Sequence, residues 1–502
     1  MSPASVDPPR CLGSCINLDR QLKDSGLPAA AYFGLRSFLY GKNGELIPTA
    51  HVTKILRNAT DRPARLMFQF LVRRIINKLP PFLGGVGVPA GDDVSLTEWV
   101  RQQLGSTEVV DSSVSAILHG MTGGNPDTTS MRELRFHMYR NLYHHASSKL
   151  KWRRPSSEML PVMPQDRELL LAATPASSTA FDPRVHHYAL NGGMQTLTDW
   201  MATVLSAQNN TELKKGTLVT GVRCDEAGAG VIVTTTDGKT NAQSFDAVVS
   251  TIPSQLLAKI APPSSLPSLE ASPSVSIQTV NLWYPSHNLV PPKSVGYLIP
   301  TLATREQNPY GALGVIFDSE AVPPVMGEPS GTKLFVLLGG HHYDDSDLSP
   351  PADDATAIQQ ARETVHKHLG IPLHLEPGAA VARLAKDCLP QFTVGHSERM
   401  VTAHRELLDT FSGKLCVAGP SYRGMGVLGG ARAGWDTAMR LAGRTRSDHV
   451  GDTGLAGFER MAKEGLMPDV FVPRALIERF RSKNKFVFVE KGWRKESKEG
   501  RN

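Results

Sequence analysis

Three glycines near the carboxyl end of the chain have a spacing that can bind a nucleotide. Gly424, Gly426 and Gly429 form a G-x-G-x-x-G motif in a chain of 502 residues. An apolar stretch typical of a strand, Lys414–Gly419, precedes them, and a helical pattern follows. Glycines let a backbone approach a ligand closely, and a helix N-terminus presents free N–H groups and a positive dipole end. A pyrophosphate or an electron-rich ring oxygen would suit this turn.

The same motif lacks one part of a complete dinucleotide fingerprint. That fingerprint also needs an acidic residue about 20 residues further on, at the end of a second strand. Asp448 lies at about that distance but in the segment TRSDHVGDTG, which does not read as a strand. The residues alone therefore leave three interpretations: a phosphate cradle, a chance match, or a turn that closes on a cofactor held mainly by earlier segments.

Other reactive residue types do not form a recognisable catalytic or metal-binding pattern. The five cysteines are scattered, which favours a reducing compartment without a disulfide framework. Three histidine pairs have no carboxylate or cysteine at ligand spacing, and we interpret them as surface or structural residues: His144-His145, His186-His187 and His341-His342. We accordingly predict no metal and no acid–base or nucleophilic catalytic side chain.

The composition is that of a soluble globular chain with a basic tail. Hydrophobic residues make up 40% and charged residues 20%, and no apolar run is long enough to span a bilayer. The formal net charge is +6, and Arg474–Asn502 alone carries ten Lys/Arg against four Asp/Glu. The rest of the chain is therefore close to neutral, so we expect no nucleic-acid partner. The tail is either solvated or bound to an anionic membrane surface.

Hydrophobic periodicity and turn signals predict the main elements. Asn43-Gly44 between two β-prone runs predicts a hairpin. Ser95, with Glu98 three residues on, predicts a capped helix that ends at Gly105. The segment Arg65–Leu79 predicts an amphipathic basic helix, which belongs either to the core or to a membrane surface.

These patterns predict an α/β (α+β) chain of several domains. We expect a partial FAD-binding Rossmann-like domain, a mixed-sheet substrate domain and a mainly helical, membrane-associated domain. The predicted boundaries are a loose segment at 1–30, the helical domain at 31–180, the cofactor domain at 185–270 and 385–445, the sheet domain at 271–384, and the basic tail at 446–502.

Six ordered strings resemble those of one flavoenzyme family. They are GMTGGNPDTTSM (120–131), YALNGGMQTLTDWM, FDAVVSTIPSQLLAKI, the strand series from VNLWYP to LGVIFDSEAVP, CLPQFTVGHSERM, and VAGPSYRGMGVLGGARAG. Each alone is weak, but their order from about residue 30 to 445 is similar to the oxygen-dependent protoporphyrinogen oxidases. That family lies within the FAD-containing amine-oxidase-like superfamily.

The resemblance implies an activity, a cofactor and a location. It implies that FAD is the cofactor, that protoporphyrinogen IX is oxidised to protoporphyrin IX, and that molecular oxygen is the acceptor, in heme biosynthesis. It also implies peripheral attachment to the mitochondrial inner membrane on the intermembrane-space side, and leaves a homodimer open.

The resemblance further implies site residues, position by position. The residues that would line the flavin are Gly424, Met425, Gly426, Val427, Leu428 and Gly429, with the backbone of Val219 near the adenine. The residues that would face the substrate are Arg36, Gly123, Gly124, Leu298 and Val322.

The sequence departs from the family pattern in four ways. The amino-terminal β-α-β unit that holds the ADP half of FAD is expected to be missing. The family's substrate arginine is Ser37 here, with Arg36 one residue early, and such a slip reverses the face of a strand. A ring-stacking Phe is replaced by Val322, and a Trp found near the flavin in some relatives by Ser397. Two alternatives follow: a catalytically impaired, truncated paralogue that binds a porphyrin or a protein partner, and another amine-oxidase-like flavoenzyme.

Overall fold

The structure is a computed structural model that describes most of the sheet and cofactor regions of the chain. It describes residues 29–32, 36–49, 93–134, 159–161, 187–190, 193–225, 230–236, 238, 240–321, 328–344, 348–424, 426–441, 453–459, 471–473, 486–489 and 492–495. The predicted helix at Arg65–Leu79 lies outside these residues, so its assignment to core or membrane stays a prediction.

A mixed sheet of seven strands forms the largest layer. Its strands are β2 (Arg36–Tyr40), β3 (Leu46–Pro48), β10 (Ser274–Tyr284), β11 (Ser294–Leu298), β12 (Ala312–Phe317), β13 (Thr332–Gly339) and β14 (Ala379–Pro390), in the order β14-β10-β13-β12-β11-β2-β3. Only the β2–β11 pair is parallel among these strands. β2 and β3 form the hairpin expected at Asn43-Gly44, where Gly44 has a φ of 82°.

One face of this sheet is covered by a long helix, α7 (Asp354–Leu369). Alternate residues of β13 are buried, as a half-covered strand requires. Phe317, Val336 and Val365 are fully buried between sheet and helix, in the largest hydrophobic core of the described residues. The helix begins at the N-cap Asp353 and ends at the left-handed Gly370, as its capping residues predict.

A second core joins segments that are far apart in the sequence. It contains strands β6 (Leu218–Cys224) and β7 (Val231–Thr236), the parallel pair β9 (Val248–Ser250) and β15 (Leu415–Val417), and helices α4 (Ser254–Ile260), α5 (Pro267–Glu270) and α8 (His396–Phe411). The exposed strand β8 (Thr240–Phe245) pairs with β7, and helix α9 (Gly426–Leu441) follows β15 along the chain. Leu257, Leu407 and Phe411 are buried at its centre. Because its two parts share one hydrophobic interior, they form one folding unit despite the inserted sheet.

A smaller helical segment lies against the other face of the large sheet. It contains α1 (Leu96–Leu104), a π-helical turn (Val110–Val114) and α2 (Ser115–Thr122). Ser95 caps α1, because its Oγ accepts a hydrogen bond from the Glu98 N–H at 3.2 Å, and Gly105 ends it in the left-handed region. Both capping residues predicted from the sequence are confirmed.

Two helices, one 3-10 turn and three antiparallel strand pairs complete the described elements. They are helices α3 (Gln195–Ser206) and α6 (Asp318–Ala321), a 3-10 turn (Gly340–Tyr343), and three antiparallel pairs: β1 (Ala29–Tyr32) with β5 (His187–Leu190), β4 (Met159–Pro161) with β16 (Phe471–Pro473), and β17 (Phe486–Val489) with β18 (Gly492–Lys495). Within the described part of the chain, no helix combines the length and the apolar character needed to cross a membrane.

Two segments pack across the predicted domain boundaries, which stay a prediction. The hairpin of β2 and β3 belongs to the large sheet, although it was expected in the helical domain that begins at residue 31. Leu455 and Phe458 lie in the second core, although they were expected in the basic tail. In both cases strand pairing or apolar burial between distant segments overrides local composition.

The core beneath α7 contains a histidine that makes folding stability depend on pH. His368 is buried, with Nδ1 2.9 Å from the Tyr297 hydroxyl and Nε2 2.9 Å from the Gln307 carbonyl. Burial lowers the pKa of His368 to about 4. The unfolded chain takes up a proton near pH 6.5, so the stabilisation is present above that pH and is lost as pH falls toward 4.

We therefore expect the free energy of unfolding to fall as pH is lowered from 7 to 4, and His368→Asn to flatten part of this dependence. One proton contributes a slope of at most about 1.4 kcal/mol per pH unit. Urea unfolding across this pH range measures the slope. The exposed His374 supplies the control variant His374→Asn. An unchanged slope in His368→Asn would contradict the assignment.

Candidate flavin and substrate site

The late glycine motif folds into a tight turn at the start of α9. Gly424 and Gly426 have φ values of 74° and 79°, in the left-handed region that favours glycine. A Cβ on Gly429 would lie 2.1 Å from the Gly424 carbonyl oxygen, so the first turn of the helix closes only on a glycine. Among the described residues outside the helix backbone, no atom lies within 4 Å of a Cβ added at Gly426, so this part of the chain leaves space in front of the helix N-terminus.

Apolar side chains remain exposed in the first turn of α9 and on strands β6 and β9. Val427, in the first turn of α9, is 56% exposed, and Val219 on β6 is 37% exposed. Val249 and Ile252, on β9 and just after it, are exposed as well. Within the described residues these side chains are left uncovered, and apolar walls beside free helix N–H groups can bind a ring system with an attached phosphate.

The segment Gln391–His396 links this turn to the large sheet. His396 donates from Nε2 to the Tyr422 carbonyl at 3.0 Å, because a carbonyl can only accept. At the other end, the Gln391 side-chain amide donates to the Thr122 carbonyl at 2.8 Å. Phe392 lies between them and its ring stacks on that of His396, with centroids 4.3 Å apart. One short segment thus contacts both the helical segment and the cofactor half, by which we mean the second core together with the glycine turn.

Backbone hydrogen bonds extend the link to the helical segment. Ser130 N–H donates to the Phe392 carbonyl at 2.8 Å, and Val394 N–H donates to the Thr128 carbonyl at 3.0 Å. The Asp93 carboxylate accepts from the Ser130 hydroxyl at 2.7 and 2.8 Å and from Gly395 N–H at 3.2 Å. Together these bonds fix the position of the helical segment relative to the cofactor half.

The electrostatics of this junction keep its buried groups neutral. Burial lowers the pKa of His396, and the Glu133 carboxylate and the Tyr422 carbonyl only partly oppose that effect. Burial also raises the pKa of the Tyr422 hydroxyl. The His396 Nδ1 and the Tyr422 hydroxyl are buried without a hydrogen-bond partner in the described residues. At neutral pH both side chains are therefore uncharged.

Of the substrate residues implied by resemblance, Gly123 and Gly124 directly follow α2, and Leu298 packs against Gly120 of the same helix. Gly123 caps the end of α2 with a φ of 66°, and a Cβ there would lie 3.1 Å from the Ile277 side chain. A Cβ on Gly124 would lie 2.4 Å from Gln391 Oε1. Both glycines are buried in close packing, and the positive φ of Gly123 also favours glycine. Leu298 is half-buried, and a Cβ at position 120 would lie 2.5 Å from its Cδ2.

The register between β2 and β11 decides whether Arg36 or Ser37 lies on the face of the sheet that carries Leu298. Ser37 pairs with Gly296, and Leu39 pairs with Leu298. Alternate residues share a face, so Ser37 lies on the Leu298 face of the sheet and Arg36 at the opposite register position. Ser37 bonds to the Thr49 hydroxyl at 2.6 Å. The register thus does not bring the backbone position of Arg36 onto the face expected for the substrate.

Four implied site residues have no described side chain. Val322 and Met425 lie outside the described residues, and of Arg36 and Leu428 only the backbone is described. Ser397, which stands where some relatives have a Trp, donates its hydroxyl to Glu133 at 2.5 Å. The roles assigned to all these positions stay predictions.

Sequence reasoning missed two features of this region. The contacts of Gln391 and His396 were not predicted, although both lie in one of the strings that carry the resemblance. The pair His341-His342 was interpreted as surface or structural, yet His341 is 8% exposed and both rings lie beside the buried His119. No sequence signal connects these positions, because the tertiary fold alone brings α2 to the end of β13.

The glycine turn and the core that spans two distant segments define a nucleotide-cofactor-binding α/β protein. The sequence matches the family described as flavin containing amine oxidoreductase over residues 16–442. The chain belongs to this family. It is an oxidoreductase, and its cofactor is FAD.

Three relatives illustrate the range of the similarity. The chain is 27% identical to human protoporphyrinogen oxidase over 393 residues, which cover 74% of this chain and 76% of the relative. The crystal structure of an Exiguobacterium sp. 255-15 protein assigned as a protoporphyrinogen oxidase superposes with a TM-score of 0.58 at 20% identity, covering 85% of this chain and 84% of the other. Cyclohexylamine oxidase from Brevibacterium oxydans gives 0.52 at 16% identity and 86% coverage of both chains. The two structural matches show the fold alone.

The residues of the glycine turn fit a flavin cofactor. The open space at Gly426, the free first-turn N–H groups of α9 and the exposed apolar side chains at Val219 and Val427 suit a ring and a pyrophosphate. Gly424 and Gly429 make the turn tight enough to present those N–H groups. These residues would hold FAD, which supplies a two-electron acceptor when bound.

We expect Gly429→Ala to lower flavin content at least about tenfold, because its Cβ would collide with the Gly424 carbonyl oxygen and force the turn open. Visible flavin absorbance per chain after purification measures the loss. Gly434→Ala is the matched control, because Gly434 lies in the same helix with no atom within 4 Å of its added Cβ. Equal flavin content in the two variants would contradict the placement.

Proposed function

We propose that this protein oxidises protoporphyrinogen IX to protoporphyrin IX, with FAD as cofactor and molecular oxygen as acceptor, as a step of heme biosynthesis. The proposal rests on similarity to protoporphyrinogen oxidases over about three quarters of the chain. A spatial observation supports it. The strings around Thr122, Gln391 and Tyr422 all carry the resemblance, and hydrogen bonds join them directly.

The chain's own contribution to this reaction is to position rings and exclude water. The Gln391–His396 segment fixes the sheet face that carries Leu298 relative to the glycine turn. The half-buried Leu298 offers an aliphatic side chain beside Gly120 and Gly314, where an added Cβ would lie 2.5 and 2.9 Å from its Cδ2. An apolar tetrapyrrole ring would gain from such a surface by burial, and a hydride acceptor needs no side-chain acid or base beside it.

A second candidate function is a porphyrin- or partner-binding protein that has lost oxidation. The observation that favours it is the Leu298 face of the sheet, where Ser37 rather than an arginine lies in register. An oxidase that binds propionate groups through an arginine at this place would lose that contact. Oxidation with normal turnover would rule this candidate out.

The membrane and assembly assignments are part of the same proposal. We propose peripheral attachment to the mitochondrial inner membrane, facing the intermembrane space. A homodimer is compatible with this proposal. The basic tail supplies the charge that an anionic membrane surface would attract. Flotation with vesicles of anionic phospholipid, with and without residues 474–502, tests the attachment.

We expect the flavin-loaded protein to convert protoporphyrinogen IX to fluorescent protoporphyrin in air, with one peroxide formed for each pair of hydrogens removed. Fluorescence and peroxide assays measure both products. The Gly429→Ala variant is the control for non-enzymatic oxidation. A flavin-loaded protein that leaves protoporphyrinogen unchanged and oxidises an amine would contradict the proposal. A flavin-free protein that binds protoporphyrin would favour the second candidate.

We expect Leu298→Ala to raise KM for protoporphyrinogen roughly tenfold while turnover per flavin stays close to wild type, because an apolar contact to the substrate is lost. Steady-state kinetics and flavin content measure the two effects separately. Leu313→Ala is the matched control, since Leu313 is buried on the neighbouring strand and its truncation should cost stability without changing KM. An equal rise of KM in both variants would contradict a substrate role for Leu298.

A further inference from the structure

Three imidazoles converge where the end of β13 meets α2. His119 lies on α2, and His341 and His342 lie in the 3-10 turn that follows β13. One ligand nitrogen from each ring can be chosen so that all three lie within 4.8 Å of one another. His119 and His341 are 2% and 8% exposed, and His342 is half-buried. The cluster lies outside the glycine turn and on a different element from Leu298.

The backbone around the cluster holds the two consecutive histidines in place. Gly339 and Gly340 have φ values of 93° and 60°, so the strand turns sharply before His341. The His341 N–H donates to the Gly123 carbonyl at 2.8 Å, which ties this turn to the end of α2. A Cβ on Gly340 would lie 2.6 Å from the same carbonyl, so the close approach requires glycine. The arrangement is therefore fixed by packing on both sides.

The chemistry of these side chains is that of a metal ligand set. Burial, followed by repulsion from His341 and His342, lowers the pKa of His119 to about 2, and burial lowers the pKa of His342 to about 3. Both imidazoles are therefore neutral at pH 7, the form that coordinates a metal. Neither ring nitrogen of His119 makes a hydrogen bond of ordinary geometry in the described residues, although the Ile299 carbonyl favours a proton there. A buried imidazole without such a bond costs free energy unless something else satisfies it.

We propose that His119, His341 and His342 bind a divalent zinc ion that fastens α2 to the turn after β13. Three nitrogen ligands without a carboxylate exclude a Mg²⁺- or Ca²⁺-type site and suit Zn²⁺. Tetrahedral Zn–N bonds of about 2.0–2.1 Å place ligand nitrogens about 3.3 Å apart. The ring centroids lie 4.0, 4.3 and 5.9 Å apart, and zinc binding would rotate the side chains until one nitrogen of each ring reaches that spacing.

Three protein ligands leave one coordination position for water or an external ligand. Arg305 is the charged neighbour that acts on His342, but it is exposed, so solvent screens its repulsion of a cation. The site would act on the position of Gly123, because the His341 N–H donates to the Gly123 carbonyl. The alternative is a dry stack of three imidazoles held by packing alone.

The test uses the full-length flavoprotein after chelator treatment, with zinc chloride as the probe. We expect about one zinc per chain by elemental analysis after dialysis, a thermal midpoint that rises with zinc, and nitrogen ligands in the X-ray absorption spectrum. His119→Gln and His342→Ala should each weaken binding at least about tenfold and remove the thermal shift. The His374→Ala variant should bind as wild type does.

Two results would overturn the proposal. The first is a folded wild-type protein that takes up no stoichiometric zinc. The second is zinc uptake that is the same in wild type, His342→Ala and His374→Ala. His342 is half-buried, so its variant keeps the test decisive if His119→Gln fails to fold. The readouts are metal content and thermal midpoint, so they are independent of whether protoporphyrinogen is the substrate.

Discussion

The architecture depends on the hydrogen bonds made by one short segment, Gln391–His396. Its first side chain bonds to the Thr122 carbonyl and its last to the Tyr422 carbonyl. These bonds are buried, so losing either partner would leave a polar group without water or protein to satisfy it. The segment follows the end of β14 and opens α8, so it lies where the large sheet passes into the second core.

Two different demands for glycine meet in this protein. At Gly340 and Gly429 an added Cβ would lie 2.6 and 2.1 Å from a backbone carbonyl oxygen, so close packing is enough to require glycine there. At Gly426 the space is open and the φ is positive, so the glycine serves the backbone path in front of a helix N-terminus. Only the second kind points to a ligand. The distinction explains why two glycine strings that look alike in sequence have different physical meanings.

Two separate hydrophobic cores divide the described part of the structure. The second core is built from segments on both sides of the inserted sheet and carries the glycine turn. The large sheet has its own hydrophobic interior under α7 and presents its other face to the helical segment. The two hydrophobic interiors are therefore separate, and the hydrogen bonds of the Gln391–His396 segment join the parts of the chain that contain them.

Local sequence signals determined much of the fold because they act over a few residues. Asn43-Gly44 predicted its hairpin, and Ser95 and Gly105 predicted both ends of α1. The order of the strings led to the flavin family, and the family match confirms it. The G-x-G-x-x-G motif could not by itself distinguish a complete nucleotide site from a turn that closes one, since that depends on residues far away in the chain.

Tertiary structure decided what depends on distant partners. Strand pairing placed Ser37, and not Arg36, in register on the Leu298 face. The packing of α2 against the end of β13 brought His119 to His341 and His342, which no spacing in the sequence could reveal. The physical reason is the same in each case. Periodicity and capping are properties of neighbours along the chain, whereas register and convergence are set by hydrophobic burial between segments that only the folded protein brings together.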